Sequence, residues 1–172
     1  MANHVSFEQS ELPDLQMSNG GTTAFLSALL LAGSDLASND WHKTLMVWLA
    51  EKDQSVIGSG IVGFDLAQIK WDATSFLEQQ LFLIEVIDSA LGRHRWEDLG
   101  YEPGPNQDQA WALDYLRQFR ALVAATRPEL IEARDWDFYV QETNFQKCLK
   151  HQVYLHSLNS DPLKCCLICN DS

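Results

Sequence analysis

The stretch WHKTLMVWL, Trp41 to Leu49, decides the fold class. Ser38-Asn39-Asp40 precede it, so Asp40 can cap a short helix there. Its LMVWLA core is apolar at every position and reads equally as a buried strand, because a short continuous apolar run carries no periodicity that separates the two. A helix makes the chain mainly α, and a strand moves it toward an even α+β mixture. The following SVIGSGIVGF, from Ser55 to Phe64, combines glycines with β-branched residues. That composition predicts an extended segment with close backbone passage, and it is where a small sheet is expected. Gly58, Gly60 and Gly63 form GSGIVG, not a GxGxxG that opens a long helix, so a phosphate loop is not indicated.

Upstream, AFLSALLLAG from Ala24 to Gly33 is too short to cross about 30 Å of hydrocarbon, and Ser34-Asp35 follow it directly. Burial in a core is the better reading. A helix is expected to start after Asn19-Gly20-Gly21 with Thr22 or Thr23 as its cap, and to end or bend at Gly33-Ser34. Downstream, Ser75-x-x-Glu78 suggests a capping box, with Leu77, Leu81, Ile84, Ile87 or Asp88, and Leu91 as the approximate helical stripe before Gly92. Trp111, Tyr115, Phe119 and Leu122, broadened by Leu116 and Val123, predict a further helix that stops before Arg127-Pro128. The fold class expected is therefore α+β, predominantly helical, with one helical body and a small β contribution.

The 172 residues suit a single domain, and 46% apolar content is enough for one ordinary core. Twenty-four acidic against twelve basic side chains give a formal charge of -12, which disfavours nucleic-acid backbones as partners. The charge is uneven: residues 1 to 92 carry -9, residues 93 to 140 carry -3, and residues 141 to 172 are neutral. All four cysteines lie in that neutral segment. The expected organisation is an acidic helical body over residues 1 to 140, with a small Cys/His-rich module over 141 to 172 packed on it. The first sixteen residues lack the basic and apolar regions of a signal peptide, and the confined cysteines exclude a distributed disulfide framework. A reducing, cytoplasmic setting without membrane contact is the expectation.

The strongest chemical signal is KCLKHQVYLHSLNSDPLKCCLIC, Lys147 to Cys169. Cys148-x2-His151 is followed by fourteen residues and then Cys166-x2-Cys169. Zinc takes tetrahedral sulfur and imidazole ligands, and two short ligand pairs joined by a loop let one ion organise a segment too small to bury much apolar surface. Cys165 and His156 are the alternative ligands, although Cys165 leaves a three-residue gap before Cys169. The paired spacing resembles the knuckles of zinc-ribbon and treble-clef modules. That resemblance covers residues 148 to 169 only; it implies a structural zinc ion and names no activity.

A second constellation, RHRWEDLGYE, begins at Arg93. His94 and Glu97, with Asp98 beside them, are the candidates for a small hydrolase or ligand pocket, but they do not form HExxH. The simpler reading is a helix terminus, with Arg93, His94 and Arg95 drawn to the negative end of the preceding helix and Trp96 packed beneath. No catalytic residue is assigned. An acidic body with exposed aromatics is instead suited to hold the basic surface of another protein, as an intracellular immunity protein or inhibitor does. The residues expected on such a surface are Asp35, Asp40, Asp65, Asp72, Asp135, Trp136 and Asp137.

Overall fold

The computed structural model describes residues 3–53, 63–100, 110–131, 145–158 and 161–169. Its elements run β1 (Asn3–Ser6), β2 (Leu15–Met17), α1 (Asn19–Leu36), α2 (Asp40–Ala50), β3 (Gly63–Asp65), α3 (Phe76–Leu91), α4 (Ala110–Ala125), β4 (His156–Leu158) and β5 (Asp161–Cys165). Short 3-10 turns at Leu66–Gln68, Trp96–Leu99 and Pro128–Leu130 join them. The chain is predominantly helical with a small mixed sheet, as its residues predict.

Trp41 to Leu49 is helix. The oxygen of the Asn39 side chain accepts the His42 N–H at 2.9 Å and starts α2 one residue before the expected cap, leaving Asp40 in the first turn. Leu45 to Ala50 are six consecutive buried residues, so α2 is covered on every side near its C-terminal end. This is why periodicity could not separate helix from strand.

α1 is the hub, buried from Gly21 through Ser34, with α2, α3 and α4 packed around it. Its start differs from expectation. Ser18 is the cap, its hydroxyl accepting the Gly21 N–H at 3.1 Å, and Thr22 and Thr23 lie inside the helix. Gly33-Ser34 neither ends nor breaks it. Gly33 is the point where Met46 of α2 and Val86 of α3 come against the helix, so the small residue serves packing and not termination.

α3 also corrects the sequence reading. Its buried face is Phe76, Gln79, Phe82, Leu83, Val86, Ile87 and Ala90, whereas Leu77 and Leu81 are 65% and 55% exposed. Ser75 makes no side-chain capping bond. Gln79, not Glu78, reaches back, accepting the Asp72 N–H at 2.9 Å, which satisfies this polar residue on the buried face. On α4, Leu116, Phe119, Leu122 and Val123 are buried as expected, while Trp111 and Tyr115 are half-buried. The Gln80 amide ties α3 to the end of α4 through the carbonyls of Val123 and Thr126.

The sheet has the order β2-β1-β3, antiparallel on one side and parallel on the other. Gly63 faces His4 across the parallel pair, where a Cβ would collide with the His4 carbonyl oxygen and lie 2.9 Å from its carbon. Close backbone passage is thus the reason for this glycine. Among the described residues no helix is long and apolar enough to cross a membrane.

Gly63→Ala is expected to lower unfolding stability by about 1–3 kcal/mol, because the obstacle is backbone and cannot rotate away. Gly20→Ala, at an open helical position with nothing within 4 Å, should instead be neutral or stabilise by up to about 1 kcal/mol. Urea unfolding of the two variants beside the parent chain checks both signs.

Candidate metal centre

The C-terminal segment folds by backbone bonds that bring its two donor pairs together. Lys147 and Tyr154 form an isolated bridge, Cys148 N–H donates to the Val153 carbonyl at 2.8 Å, and Gln152 N–H donates to the Cys148 carbonyl at 2.8 Å. Gln152 takes a left-handed φ of 55°, which closes the turn directly after His151. β4 and β5 then carry the chain back antiparallel, so that Cys166 to Cys169 lie against the first turn.

The donor atoms of Cys148, His151, Cys166 and Cys169 all lie within 4.8 Å of one another. Nδ1 of His151 is 3.3 Å from Sγ of Cys169, 3.5 Å from Sγ of Cys166 and 3.9 Å from Sγ of Cys148. The sulfurs of Cys148 and Cys169 are 3.8 Å apart. A tetrahedral zinc ion with its usual bond lengths requires S···S edges of about 3.8 Å and S···N edges of about 3.5 Å. The donor set and its spacing are consistent with a structural zinc site. Four protein donors also leave no open position for a reacting water, unlike a catalytic zinc centre.

The electrostatics follow from crowding. Burial pushes the Cys166 thiol up to about 12, although the Cys169 backbone N–H opposes it, and the neighbouring thiols push it the same way. Burial also acts to raise Cys148, but N–H donors from His151 and Lys150, together with hydrogen bonds from the Cys166 and Cys169 thiols, hold it below its ordinary value. Burial and then the Lys150 charge lower the His151 pKa, which favours the neutral imidazole that a metal needs. With three thiolates around a divalent cation, the centre would carry about one negative charge.

The remaining sequence candidates lie elsewhere. Cys165 and His156 are cross-strand partners in the β4–β5 hairpin and stand outside the four-donor group. His94 turns to Asp35, with Nε2 2.8 Å from the carboxylate, and does not pair with Glu97. Arg93 and Arg95 both adopt left-handed φ, 61° and 56°, in the turn that follows α3. The backbone N–H groups of Arg93 and His94 cap the preceding helix, donating to the carbonyls of Ala90 and Ser89, while the side chains of His94 and Arg95 reach Asp35 of α1 and Arg93 lies over Trp96. Trp96 is buried beneath them, as expected.

The junction that results has no local signature in the sequence. Arg95 is 2.7 Å from Asp98 and 3.2 Å from Asp35, and it donates to the His151 carbonyl at 2.6 Å, so one guanidinium joins α1, the Trp96–Leu99 turn and the first donor pair. Lys147 donates to the Ser34 carbonyl at 2.8 Å, and the Tyr154 N–H donates to the Ser34 hydroxyl at 3.2 Å. Both bonds fall at the negative end of the α1 dipole, where cations and N–H donors are favoured. Burial works to raise the Asp35 pKa, but hydrogen bonds from His94 and Arg95 prevail and lower it.

Among the surface acids, Asp65 is engaged internally: its carboxylate accepts from the Ser6 hydroxyl and from the N–H groups of Glu8 and Ala67. Asp40 and Asp72 line an open cavity of about 880 Å³ together with Trp41, Trp71, Glu78 and other residues, none of them His94 or Glu97. Asp135, Trp136 and Asp137 lie outside the described residues. No family model matches the chain, and no curated protein or solved structure shows significant similarity to it.

Zinc affinity should rise with pH, by up to about tenfold per unit for each thiol proton released, because Cys166 enters the site protonated. Chelator competition at several pH values checks this, and an affinity independent of pH would contradict it. Asp35 gives a second test. Its folded pKa is lowered, so its contribution is complete above the unfolded value near 4 and is lost as pH falls through the folded value. The stability gap between the parent chain and Asp35→Asn should be at most about 1 kcal/mol at neutral pH, given the partial exposure, and should close in acid. Urea midpoints at neutral and acid pH measure that gap.

Proposed function

We propose that this chain is a non-enzymatic acidic binding protein, an intracellular inhibitor of the immunity-protein kind, which docks on the basic surface of another protein. The observation that carries the reading is one exposed face of α3, where Leu77 and Leu81 stand beside Glu78 and Glu85. These four positions fall within about 100° of the helix circumference, opposite the buried stripe. Large exposed apolar side chains flanked by a single sign of charge suit a protein interface: the apolar groups anchor and the charge steers. Asp40 and Asp72 adjoin this face and extend its acidic character. Asp35 and Asp65 are engaged within the fold and contribute less.

In this reading, residues 1 to 140 supply the docking surface and residues 141 to 172 form a module held by structural zinc through Cys148, His151, Cys166 and Cys169. The net charge of -12 argues against a nucleic-acid partner and for a cytoplasmic protein of opposite charge.

Affinity capture from an extract of the cells that carry the gene, at low and moderate salt, followed by reconstitution with the purified partner, tests the proposal. The expected result is a basic protein whose affinity falls with salt, and falls about tenfold or more against the Glu78→Lys/Glu85→Lys double variant. Recovery of no basic partner at either salt would contradict it.

A further inference from the structure

The cavity beside α2 is lined by more than acids. Trp41 and Trp71 form a tilted pair on its wall, with ring centroids 5.8 Å apart and planes at 39°. Both indole N–H groups are spent on backbone carbonyls: Trp41 donates to Lys70 at 2.8 Å, and Trp71 donates to Leu66 at 2.9 Å. Those bonds fix the rings. Behind them, Phe76 packs against Trp71 at 5.2 Å and Phe82 against Trp41 at 6.5 Å. Both tryptophans are half-buried, so each retains exposed ring surface.

Two anchored indole surfaces with nearby negative charge meet the requirements of a cation. The lining includes the carboxylates of Asp40, Asp72 and Glu78 against the single ammonium of Lys70. Lys43 lies 3.5 Å from Asp40, in a pair whose carboxylate is largely exposed. Asp72 is pre-set, because one of its oxygens accepts from the Thr74 N–H at 2.8 Å and hydroxyl at 2.7 Å. A planar guanidinium stacks on indole and donates in plane to carboxylates, whereas an ammonium offers only a point charge. A second hollow of about 270 Å³, lined by Leu81, Phe82 and Glu85 among others, shares Glu78 with the first. Two hollows that meet at Glu78 offer more than one side chain needs and fit a polypeptide better than a small free cation.

We propose that the cavity receives an arginine side chain of a basic polypeptide, its guanidinium against Trp41 and Trp71 and facing Asp40, Asp72 and Glu78. This rests on the docking reading above and names the site within it. The neighbouring chain of the occupant then runs past Glu78 toward Leu81 and Glu85.

The test uses the full chain, labelled with ¹⁵N, and an acetylated Gly-Arg-Gly amide as probe. The indole N–H signals of Trp41 and Trp71, assigned from Trp41→Phe and Trp71→Phe, should shift saturably with a dissociation constant on the order of millimolar. The lysine peptide should bind at least about threefold more weakly, and the uncharged citrulline peptide should produce no saturable shift. Asp40→Asn/Asp72→Asn/Glu78→Gln, which keeps the turn acceptor at residue 72, should weaken binding about fivefold or more. Absence of a response at the two indoles, an equal response to citrulline, or an unchanged triple variant would each overturn the proposal. The two readings fail separately. A captured partner that binds the parent and the triple variant alike overturns the arginine site and leaves docking intact, while an arginine-specific response with no captured partner upholds the site and counts against docking.

Discussion

The C-terminal segment depends on one constraint: three thiols and an imidazole must converge within 4.8 Å. Without an ion, such an arrangement gains little. Burial raises Cys166, and sulfur beside sulfur resists a second negative charge. A divalent cation reverses the sign of each of these terms, turning crowded thiolates into ligands and a short hairpin into a fixed element. The strands involved are three and five residues long, too little ladder to be stable alone. The rest of their support is apolar. Val153, Tyr154, Cys166, Leu167 and Ile168 belong to the same buried cluster as the helices.

The centre is thereby coupled to the core. α1 runs buried through the body, and in its last turn Ser34 receives Lys147 and Tyr154 of the tail while Asp35 receives Arg95, which also holds the His151 carbonyl. The helix terminus needs donors for its last carbonyls, and Asp35 at that end needs a cation. The tail and the Arg93–Arg95 turn supply both. The acids expected on a partner surface therefore split into two sets. Asp35 and Asp65 hold the fold, and Asp40 and Asp72 remain on the α2–α3 side with Glu78 and Glu85.

The parts legible in the sequence are those with local causes. Two Cys/His pairs at fixed spacing give a donor set whose members the fold brings together, and the spacings at Phe119, Leu122 and Val123 give the α4 face. What stayed hidden has non-local causes. The α3 stripe is rotated from the expected one: Phe76, Phe82, Leu83 and Val86 face the core, and Gln79, a polar residue, is buried with them because the Asp72 backbone N–H satisfies it, a partner that no propensity encodes. Trp41 to Leu49 was ambiguous because neighbours cover it on all sides. β1 and β2 gave no signal, since three- and four-residue strands are shorter than any reliable alternation. The Trp41–Trp71 pair joins residues thirty positions apart, and only the Leu66–Gln68 turn, capped by Asp65, brings the second indole to the first.

Whether an ion binds the C-terminal segment into the core is tested most directly by X-ray absorption at the zinc edge, on protein purified without added metal. The predicted spectrum shows about one zinc per chain with three sulfurs near 2.3 Å and one nitrogen near 2.0–2.1 Å. Protein that folds fully without metal, with all four cysteines freely reactive, would contradict it.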